Sequence, residues 1–473
     1  MTQIAQNALE ALKACVDDKG WTDNPDDLAP HLSEWRDRYR GQTPLMLRPK
    51  TTEAVAAIVR TANRHGVKLA VQGGNTGLVY GGVPAKDGSE VLVSLGRLNR
   101  IRSVDAEDFS LIAEAGVTLA GVQQAAADAD RLFPLSLGAE GTATAGGVVS
   151  TNAGGVHVLK YGTARALTLG LEAVLPTGEV LNGLSTLRKD NTGYDLTSLL
   201  AGAEGTLGIV TAVAFQLFPA LNSREVCLAG IPDPQAAIQL LARLRAATGD
   251  RVIAFELIGR YGLELVTRHI PDTRDPLESP HPWYVLIELA SSEAGADLRG
   301  GLEAGLAAAM EDDLVQDAVI ASSQDQAGML WHMRHALSEA QKPEGAAIKH
   351  DISMPVTAIP AFLERALPAV ADAVPGLRPV VFGHVGDGNL HFDLLQPEDA
   401  DAAGYLARSG EVHGIVHDIL HDMGGSISAE HGIGRMKASE LARLKDPAAL
   451  AAMRAIKTAL DPKGILNPGR ILG

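Results

Sequence analysis

Residues 137–155 read LGAEGTATAGGVVSTNAGG, a tract of glycines and small residues interspersed with threonine and asparagine. A related tract, QGGNTG, covers residues 72–77, and a third, GAEGTLGI, covers residues 202–209. Glycine lets the backbone approach a ligand closely and adopts positive φ without strain. Successive backbone N–H groups in such turns can form concave sites for phosphate oxygens. Any one tract alone favours ordinary tight turns, but the three together predict a cradle for a phosphate-bearing or flat ligand.

Neither of the two common phosphate-binding fingerprints explains these tracts. The nearest approach to the dinucleotide pattern G-x-G-x-x-G runs from Gly386 to His391 and ends in histidine where the pattern requires glycine. The pattern G-x-x-x-x-G-K-[ST] is absent as well. Both patterns need glycine at fixed spacing, because the backbone must approach the phosphates closely. A nicotinamide-binding Rossmann site and a P-loop kinase site are therefore not expected.

Length and composition narrow the class of protein. The chain has 473 residues, of which 46% are hydrophobic and 21% charged, which is enough for two or more domains with packed cores. Its 41 Lys and Arg against 57 Asp and Glu give a formal net charge of −16. This acidic balance argues against a nucleic-acid partner and against a basic membrane-binding patch.

The cysteine content and the N-terminal segment indicate where in the cell the protein is expected. The two cysteines, Cys15 and Cys227, are too few for a disulfide framework or a cysteine-based zinc site within one chain. The N-terminal segment lacks the basic and apolar regions of a secretory signal, and no run of about 20 apolar residues could span a bilayer. From these features we expect a soluble, cytoplasmic protein with no integral membrane segment.

Helix and strand signals divide the chain into segments. Thr51 or its neighbour can cap a helix that Gly66 ends, and the run 67–71 then predicts a strand leading into the first glycine tract. After Pro219 the glycine clusters disappear and helical and strand-like patterns alternate, which is typical of an α+β domain. The expected organisation is a helical lead-in at 1–41, a glycine-rich domain at 42–220, a second domain at 221–430 and a C-terminal segment at 431–473.

These tracts belong to longer motifs that resemble a known family. Together with RKDNTGYDL at 188–196, they resemble the PCMH-type flavin domain of FAD-linked oxidoreductases. Downstream, GHVGDGNLHF at 383–392 and SAEHGIGRMK at 428–437 are similar to the C-terminal domain of the D-2-hydroxyacid dehydrogenase branch. The resemblance covers roughly residues 42 to 471. It implies an α+β fold in which a PCMH-type FAD-binding domain precedes an α+β substrate domain of the FAD-linked oxidase C-terminal type, with the last segment returning to the flavin domain.

The same resemblance implies which residues bind FAD. In that family the first two glycine tracts embrace the pyrophosphate and the isoalloxazine. The implied contacts in this chain are Gly73, Gly74, Asn75, Thr76, Gly77, Leu78, Gly138, Gly141, Gly147, Thr151, Asn152, Gly205, Gly208 and Ile209. Some members tether the flavin through a histidine in the first glycine loop. This chain has Asn75 at that point, so FAD is expected to be held non-covalently.

Histidines in the C-terminal half indicate a metal site without cysteines. His384 and His391 lie in a segment that predicts a strand, a loop and a strand, and Glu430 follows in another glycine-rich segment. Two imidazoles and a carboxylate suit Zn²⁺, Mn²⁺ or Fe²⁺ with open positions for a substrate. The spacing alone favours hydrogen-bonded core histidines, but the resemblance implies that these three residues bind a divalent metal, with zinc as the first choice. His431 is the expected general base and substrate contact, since histidine titrates near neutral pH.

A second histidine group competes for the metal. His413, His417 and His421 are spaced i, i+4 and i+8, which places them on one stripe of a predicted helix, beside the apolar face that includes Val412 and Val416. This position favours a solvated helix flank over a metal site. His332, His335 and His350 receive no role.

The resemblance also implies a set of substrate-binding residues. Arg334, Ser338 and Lys349 match positions that bind the substrate carboxylates, and Arg334 and Ser338 are one helical turn apart. Members that oxidise D-2-hydroxyglutarate carry asparagine where this chain has Asp393. A carboxylate there would repel a distal substrate carboxylate unless it were protonated or paired, so Asp393 leaves the identity of the acid open.

The implied activity is FAD- and metal-dependent oxidation of a D-2-hydroxyacid by hydride transfer to flavin N5, with D-2-hydroxyglutarate and its product 2-oxoglutarate as the first choice. D-lactate, glycolate and D-malate are alternative substrates. A metal-independent flavin oxidase that uses O₂ and a flavin-binding scaffold without activity are the alternative classes. An electron-transferring flavoprotein or a quinone is the expected electron acceptor, and the sequence leaves the oligomeric state open, a homodimer included.

Overall fold

The computed structural model describes residues 4–473, so the first three residues of the predicted lead-in lie outside the described part. The chain divides into two compact units. Of the described residues, the first contains 4–154, 162–220 and 430–473, and the second contains 155–161 and 221–429. The lead-in and the C-terminal segment are therefore both parts of the first unit.

Short strands and helices build the first unit. Its strands are β1 (Trp21–Thr22), β2 (Met46–Leu47), β3 (Lys68–Gln72), β4 (Glu90–Ser94), β5 (Ile101–Asp105), β6 (Ser110–Glu114), β7 (Arg131–Leu132), β8 (Thr168–Val174), β9 (Val180–Gly183), β10 (Ile209–Gln216) and β11 (Phe218–Pro219). They form a four-stranded sheet in the order β1-β2-β4-β3, a five-stranded antiparallel sheet in the order β5-β6-β10-β8-β9, and the pair β11-β7. Strand β4 runs parallel to both β2 and β3.

The helices are numbered along the whole chain. Those of the first unit are α1 (Gln6–Lys13), α2 (Pro25–Leu28), α3 (Thr52–His65), α4 (Leu119–Ala127), α5 (Ala145–Ser150), α7 (Ala164–Leu167), α8 (Leu196–Leu200), α16 (Ala438–Leu444) and α17 (Pro447–Leu460), with a 3-10 turn at Ala29–His31. Those of the second unit are α6 (Val158–Tyr161), α9 (Pro234–Ala247), α10 (Arg260–His269), α11 (Leu298–Glu311), α12 (Gln324–Ala340), α13 (Ile359–Ala373), α14 (Ala402–Ala407) and α15 (Ser409–Asp422), with 3-10 turns at Lys342–Glu344, Val356–Ala358 and Val385–Asp387.

Local sequence explains how the first glycine tract is positioned. The Thr51 hydroxyl caps α3 by accepting a hydrogen bond from the backbone N–H of Ala54 at 3.2 Å, and Gly66 ends the helix with φ of 68°. Strand β3 follows directly and delivers the chain to the tract at 72–77. The helix and strand predicted from the caps and the apolar run are confirmed here.

The C-terminal segment is bound to the same strand. The backbone N–H of Leu69 donates to the carbonyl of Ile465 at 2.8 Å, and Leu466 forms a parallel bridge with Leu69. Leu12 of α1, Leu69 and Leu466 are all fully buried in one core cluster of the first unit. The lead-in helix and the chain end are thus packed into the core beneath the first glycine tract.

A single seven-stranded sheet organises the second unit. Its strands are β12 (Ser223–Ile231), β13 (Val252–Gly259), β14 (Trp283–Ser291), β15 (Asp317–Ile320), β16 (Ala347–Ser353), β17 (Arg378–Gly383) and β18 (Asn389–Leu395). They are all antiparallel to their neighbours, in the order β15-β12-β14-β13-β17-β18-β16.

Residue alternation places several polar side chains on one face of this sheet. His391 is paired with Asp351 on β16 and with Phe382 on β17, and Phe382 is in turn paired with Ile258 on β13. Directly paired residues point to the same face, as do residues two apart on one strand. Glu256, two residues before Ile258, therefore shares a face with His391.

The two cysteines differ in environment, and this predicts their reactivity. Cys227 on β12 is fully buried, whereas Cys15 is partly exposed, and both are free thiols. Burial raises the pKa of the Cys227 thiol to about 12. Because the thiolate is the reactive form, we expect a disulfide reagent such as DTNB to modify only Cys15 in the native protein at mildly alkaline pH, and both thiols after denaturation. Cys15→Ser is the control, and rapid modification of that variant in the native state would contradict the burial of Cys227.

Candidate functional site

The first two glycine tracts lie against each other in the first unit. A Cβ atom at Gly73 would come within 2.5 Å of Thr144 Oγ1, and one at Gly74 would collide with the carbonyl oxygen of Thr142. A side chain at either position would push the tracts apart, so glycine is required for this contact. The contact brings together the two tracts to which the family resemblance assigned the flavin.

The third tract joins the second through backbone hydrogen bonds. The N–H of Gly202 donates to the carbonyl of Val149 at 2.9 Å, and the N–H of Glu204 donates to the carbonyl of Ser150 at 2.8 Å. Glu204 and Gly205 both adopt positive φ, at 49° and 68°. These two hydrogen bonds therefore hold the turn at Glu204 and Gly205 against the end of α5.

Asn467 connects the third tract with the first and was not identified from the sequence. Its Nδ2 donates to the carbonyl of Glu204 at 2.7 Å, and its Oδ1 accepts from the backbone N–H of Val71 at 2.8 Å. The Asn-Pro-Gly sequence at 467–469 indicated a turn, but a turn signal alone does not reveal such a distant partner.

The other predicted flavin contacts are either glycines with open space beside them or residues in the loop, helix and strand that carry the tracts. Gly77, Gly138 and Gly141 have open space beside their Cα atoms. Thr76 and Leu78 lie in the loop after β3, Gly147 lies within α5, and Gly208 and Ile209 lead into β10. All of these positions belong to the first unit.

Three polar residues among these predicted contacts also support the local fold. Asn75 has φ of 54°, and its Nδ2 donates to the carbonyl of Ser33 at 2.9 Å. The Thr151 hydroxyl donates to the carbonyl of Gly147 at 3.1 Å. Asn152 Oδ1 accepts from the backbone N–H of Arg165 at 2.9 Å. These bonds fix the loops whose backbone N–H groups were expected to face the cofactor.

The chemistry around the tracts fits a flavin dinucleotide. The Thr144 hydroxyl is buried between the first two tracts, and within residues 4–473 it has no hydrogen-bond partner. A buried hydroxyl in that state costs roughly 1–3 kcal/mol, and a hydrogen bond to a ligand in the cradle would remove this cost. The open space beside Gly138 and Gly141 leaves room for a ligand next to the backbone.

Glu204 fixes the turn just beyond the predicted ligand Glu430 and the predicted base His431. Its Oε1 accepts from the N–H of Ile433 at 2.7 Å, and its Oε2 accepts from the N–H of Gly434 at 2.8 Å. Burial raises the pKa of this carboxyl, although the two backbone donors act in the opposite direction. All five residues belong to the first unit, and Glu204 is a positioning residue for this turn.

In the second unit, the buried carboxylate of Glu256 contacts two predicted site residues. One is the predicted metal ligand His384, and the other is Arg334, which is predicted to bind the substrate. Glu256 Oε1 lies 2.7 Å from Nδ1 of His384, and Glu256 Oε2 accepts from Nε of Arg334 at 2.9 Å. Glu256 is completely buried, and the other two side chains are almost completely buried. The sequence analysis missed Glu256, although a single carboxylate within the apolar strand 252–259 was a signal that could have found it.

The surroundings of Glu256 determine its charge and the position of the hydrogen on His384. Burial alone would raise the pKa of Glu256, but the charges and hydrogen bonds of His384 and Arg334 outweigh it and lower the pKa to about 2. An ionised carboxylate only accepts hydrogen bonds, so Nδ1 of His384 carries the hydrogen. In the neutral ring the lone pair is then on Nε2. A carboxylate on the far ring nitrogen is the usual arrangement for a histidine that binds metal.

His391 and Arg334 flank the same aromatic ring. The rings of His384 and His391 are 5.7 Å apart, and the ring of His391 is 4.9 Å from that of Phe382. The Arg334 guanidinium carbon lies 5.0 Å from the Phe382 ring on its face. The two predicted histidine ligands and the predicted substrate arginine are therefore brought together.

Arg334 retains an unused donor. Its Nη2 lies 2.7 Å from Glu256 Oε2, but the geometry is not that of a hydrogen bond, and within residues 4–473 Nη2 has no acceptor. A buried guanidinium N–H normally has a partner. This donor is available to an anionic ligand such as a carboxylate.

Lys349 and Asp393 are paired with each other. Lys349 Nζ donates to Asp393 Oδ2 at 2.7 Å and to Gln341 Oε1 at 2.9 Å, and Gln341 Nε2 donates to Asp393 Oδ2 at 3.0 Å. The pairing neutralises Asp393 and so removes the repulsion that an isolated carboxylate would exert on an anion. Gln341, which completes the triad, was not identified from the sequence.

The remaining predicted site residues are Ser338, Glu430 and His431. Ser338 lies one turn after Arg334 on α12, as expected from the spacing, but it is exposed whereas Arg334 is buried. Glu430 and His431 begin the C-terminal part of the first unit, whereas His384 and His391 belong to the second. The roles assigned to Ser338, Glu430 and His431 stay predictions, as do those of His384 and His391.

The expected solvated flank of α15 is correct only for His421, which is exposed. His417 is buried and His413 is partly buried. The prediction was wrong for these two residues because the helix packs its histidine stripe against β16, where His413 Nδ1 lies 2.9 Å from Nε2 of His350. Sequence periodicity predicts that the histidines of α15 share one stripe, but it does not predict that β16 packs against that stripe.

The glycine cradle and the buried Glu256 network fit an FAD-linked oxidoreductase, and comparisons with known families show that the chain is one. Residues 43–183 match the family described as FAD binding domain, and residues 221–471 match FAD linked oxidases, C-terminal domain. Among solved structures, p-cresol methylhydroxylase with substrate bound superposes with a TM-score of 0.78 at 17% identity, covering 99% of this chain and 98% of that one. An alkyldihydroxyacetonephosphate synthase gives 0.74 at 15% identity, covering 98% and 85%. These findings confirm the predicted α+β fold with a PCMH-type flavin domain.

Relatives of known name specify the family. D-2-hydroxyglutarate dehydrogenase, mitochondrial, from Arabidopsis thaliana is 38% identical over 460 residues, or 97% of this chain and 80% of that protein. Its counterpart from Bos taurus is 38% identical over 474 residues, or 99% and 84%. D-2-hydroxyglutarate dehydrogenase from Xanthomonas citri pv. viticola is 36% identical over 447 residues, or 94% and 93%. The chain belongs to the D-2-hydroxyglutarate dehydrogenase family of FAD-linked oxidoreductases.

The names of the relatives overturn the expected cytoplasmic location. The plant and bovine relatives are named as mitochondrial proteins, and this contradicts the cytoplasmic location expected from the cysteine content and the N-terminal segment. Composition reports no compartment directly, so that inference was weak. Within residues 4–473, no helix is both long enough and apolar enough to cross a membrane.

Proposed function

We propose that this protein oxidises D-2-hydroxyglutarate to 2-oxoglutarate with non-covalently bound FAD and a divalent metal ion, zinc first, held by His384, His391 and Glu430. The observation that carries the proposal is the buried chain of contacts from Arg334 through Glu256 to His384. It joins a donor for a substrate carboxylate to a histidine oriented for a metal. The names of the relatives supply the identity of the acid.

Arg334 is the proposed anchor for a substrate carboxylate. Its Nη2 donor lacks an acceptor among the described residues, and its guanidinium carbon lies over the Phe382 ring at 5.0 Å from the ring centroid. Arginine offers two parallel N–H groups to a carboxylate, so it orients the acid as well as binding it. Glu256 holds the side chain in that orientation before the substrate arrives.

His431 is the proposed base that takes the proton of the substrate hydroxyl. When bound, FAD supplies an acceptor for the hydride on the substrate carbon, and a divalent metal supplies positive charge that makes a hydroxyl more acidic. Glu204 supports this role, because its two backbone hydrogen bonds hold the turn that follows His431. An electron-transferring flavoprotein or a quinone is the proposed acceptor of the electrons.

A monocarboxylate such as D-lactate is the second candidate substrate, and the Lys349–Asp393 pair is the observation that favours it. Pairing leaves Lys349 without net charge to offer a second carboxylate. Lysine nevertheless has three N–H donors, and Gln341 and Asp393 use two of them. The third is the donor that we propose for a distal carboxylate, and this keeps D-2-hydroxyglutarate ahead.

Asp393→Asn is expected to favour dicarboxylates over monocarboxylates. Removing the carboxylate leaves the Lys349 charge uncompensated, so a distal substrate carboxylate gains about 1–2 kcal/mol, or roughly 5- to 30-fold in kcat/KM. Steady-state kinetics with D-2-hydroxyglutarate, D-malate and D-lactate measure the ratio. Asp372→Asn, an exposed residue of α13, is the control for net charge. An unchanged ratio would show that Lys349 does not bind the distal carboxylate.

The proposed function is tested by anaerobic mixing of the purified flavoprotein with D- and L-2-hydroxyglutarate, D-malate and D-lactate. Flavin absorbance should fall fastest with D-2-hydroxyglutarate, and prior treatment with EDTA should slow this reaction greatly. If no D-acid reduces the flavin, the proposed activity is wrong. If the rate is indifferent to EDTA, the metal part of the proposal is wrong.

A further inference from the structure

Three histidines converge on the reverse face of the seven-stranded sheet. Lys349 and Asp351 share a face with His391, because they are paired with β18 in the same register. His350 lies between them on β16, so its side chain points to the opposite face. There it meets the histidine stripe of α15. This cluster is thus distinct from the Glu256 network.

The imidazole rings of His350, His413 and His417 lie close to one another. His413 and His417 are one helical turn apart, with rings 5.5 Å apart and tilted by only 11°. The His350 ring is nearly perpendicular to both, at 4.7 Å from His413 and 5.8 Å from His417. One ring nitrogen of each residue lies within 4.8 Å of one from each of the others.

Hydrogen bonding fixes the tautomer of His350. Its Nδ1 lies 2.9 Å from the carbonyl oxygen of Phe392, and a carbonyl only accepts, so Nδ1 carries the hydrogen. In the neutral ring, Nε2 then presents its lone pair toward His413, at 2.9 Å from His413 Nδ1. Histidines that bind metal typically donate their other N–H to a backbone carbonyl or a carboxylate in this way.

We propose that His350, His413 and His417 form a second binding site for a divalent transition metal. Two histidines at i and i+4 on one helix face are a common chelating pair, and His350 adds a third imidazole from the adjacent strand. Imidazole nitrogens bound to one tetrahedral metal at about 2.0–2.1 Å are roughly 3.4 Å apart, so the pair now 2.9 Å apart must separate by only about half an ångström.

The donor set selects the kind of metal. Three neutral imidazoles suit Zn²⁺, Cu²⁺, Ni²⁺ and Co²⁺, whereas Ca²⁺ and Mg²⁺ require oxygen ligands. His350 and His417 are buried and His413 is partly exposed, so the ion would enter from the side of His413. A water molecule at that side can supply the fourth ligand.

The site would have a supporting role. A metal bound there ties β16 to α15, and the residues flanking His350 on β16 are Lys349 and Asp351, whose side chains lie on the opposite face. Occupancy therefore stabilises the strand that carries a proposed substrate residue. The site takes no part in the proposed reaction.

Metal content tests this proposal. Untagged holoprotein, stripped of metal by chelation with FAD retained, is dialysed against buffered Zn²⁺, and bound zinc is counted by atomic emission. Relative to the wild type, His413→Ala and His417→Ala should each lose one zinc per chain, or bind it at least about 10-fold more weakly, the loss typical even of an outer-sphere change. His421→Ala, on the same stripe but exposed, should lose none.

A second measurement separates this site from the proposed catalytic metal. In His391→Ala, Zn²⁺ should still raise the melting temperature, and adding His413→Gln, which keeps a polar side chain of similar reach, should remove that rise. If His413→Ala and His417→Ala are folded by circular dichroism and bind as much zinc as the wild type, the three histidines form only a hydrogen-bonded cluster and the proposal is overturned. The same conclusion follows if Zn²⁺ raises the melting temperature equally with and without His413→Gln.

Discussion

His391→Ala is expected to abolish reduction of the flavin by every D-2-hydroxyacid while leaving FAD bound. Both outcomes follow from position, since His391 lies on β18 of the second unit and all predicted flavin contacts belong to the first. Loss of a metal ligand removes several kcal/mol of charge stabilisation from the transition state, and about 4 kcal/mol corresponds to about 10³-fold in rate. The side chain is only partly buried, so the fold should tolerate alanine.

Stopped-flow measurement of flavin absorbance, together with metal analysis, checks this result. The variant should contain FAD in normal amount, should lose one metal per chain, and should reduce at least about 10³-fold more slowly with D-2-hydroxyglutarate. His332→Ala, an exposed residue of α12, is the matched control and should react as the wild type does. A variant that reduces at the normal rate would remove His391 from the site.

Local signals predicted much of what positions the flavin loops. Thr51, Gly66 and the run 67–71 act through caps and short-range hydrogen bonds, so the sequence predicted α3 and β3 correctly. The three glycine tracts were equally visible, because positive φ and close contact leave few residues other than glycine. What such signals omit is long-range pairing, as the contact between Asn467 and Glu204 illustrates.

The candidate site was predicted less completely, for a related reason. His384 and His391 stood in a glycine-rich motif, whereas Glu256 lies in an otherwise apolar strand far away in sequence. Only the sheet order β13-β17-β18 brings that carboxylate beside them. His350 was likewise left without a role, since its partners on α15 depend on how the helix packs against β16.

Glu256→Gln is expected to destabilise the second unit strongly. Glu256 is completely buried and balances Arg334, which is 5% exposed. Glutamine keeps the shape but not the charge, so the arginine becomes an uncompensated buried cation. Breaking a buried pair in this way typically costs about 3–5 kcal/mol. Urea denaturation of the full chain measures the decrease in the free energy of unfolding.

Activity should fall as well, because glutamine changes the hydrogen bonding of His384. If the amide Oε1 accepts from Arg334, its Nε2 donates toward Nδ1 of His384 and forces the ring hydrogen onto the other nitrogen. That nitrogen can then no longer bind a metal. Loss of such a supporting carboxylate typically lowers metal affinity or activity about 10- to 100-fold.

Glu288→Gln is the matched control for Glu256→Gln. Glu288 is also buried in the sheet of the second unit and is ion-paired with Arg224, but the Arg224 side chain is 42% exposed and can turn to solvent. Its loss should therefore cost only about 1 kcal/mol. The double variant Glu256→Gln/Arg334→Met should recover part of the stability, because it removes the uncompensated charge. Equal stability of Glu256→Gln and Glu288→Gln would mean that Arg334 has another counter-charge, and the proposed network would then be wrong.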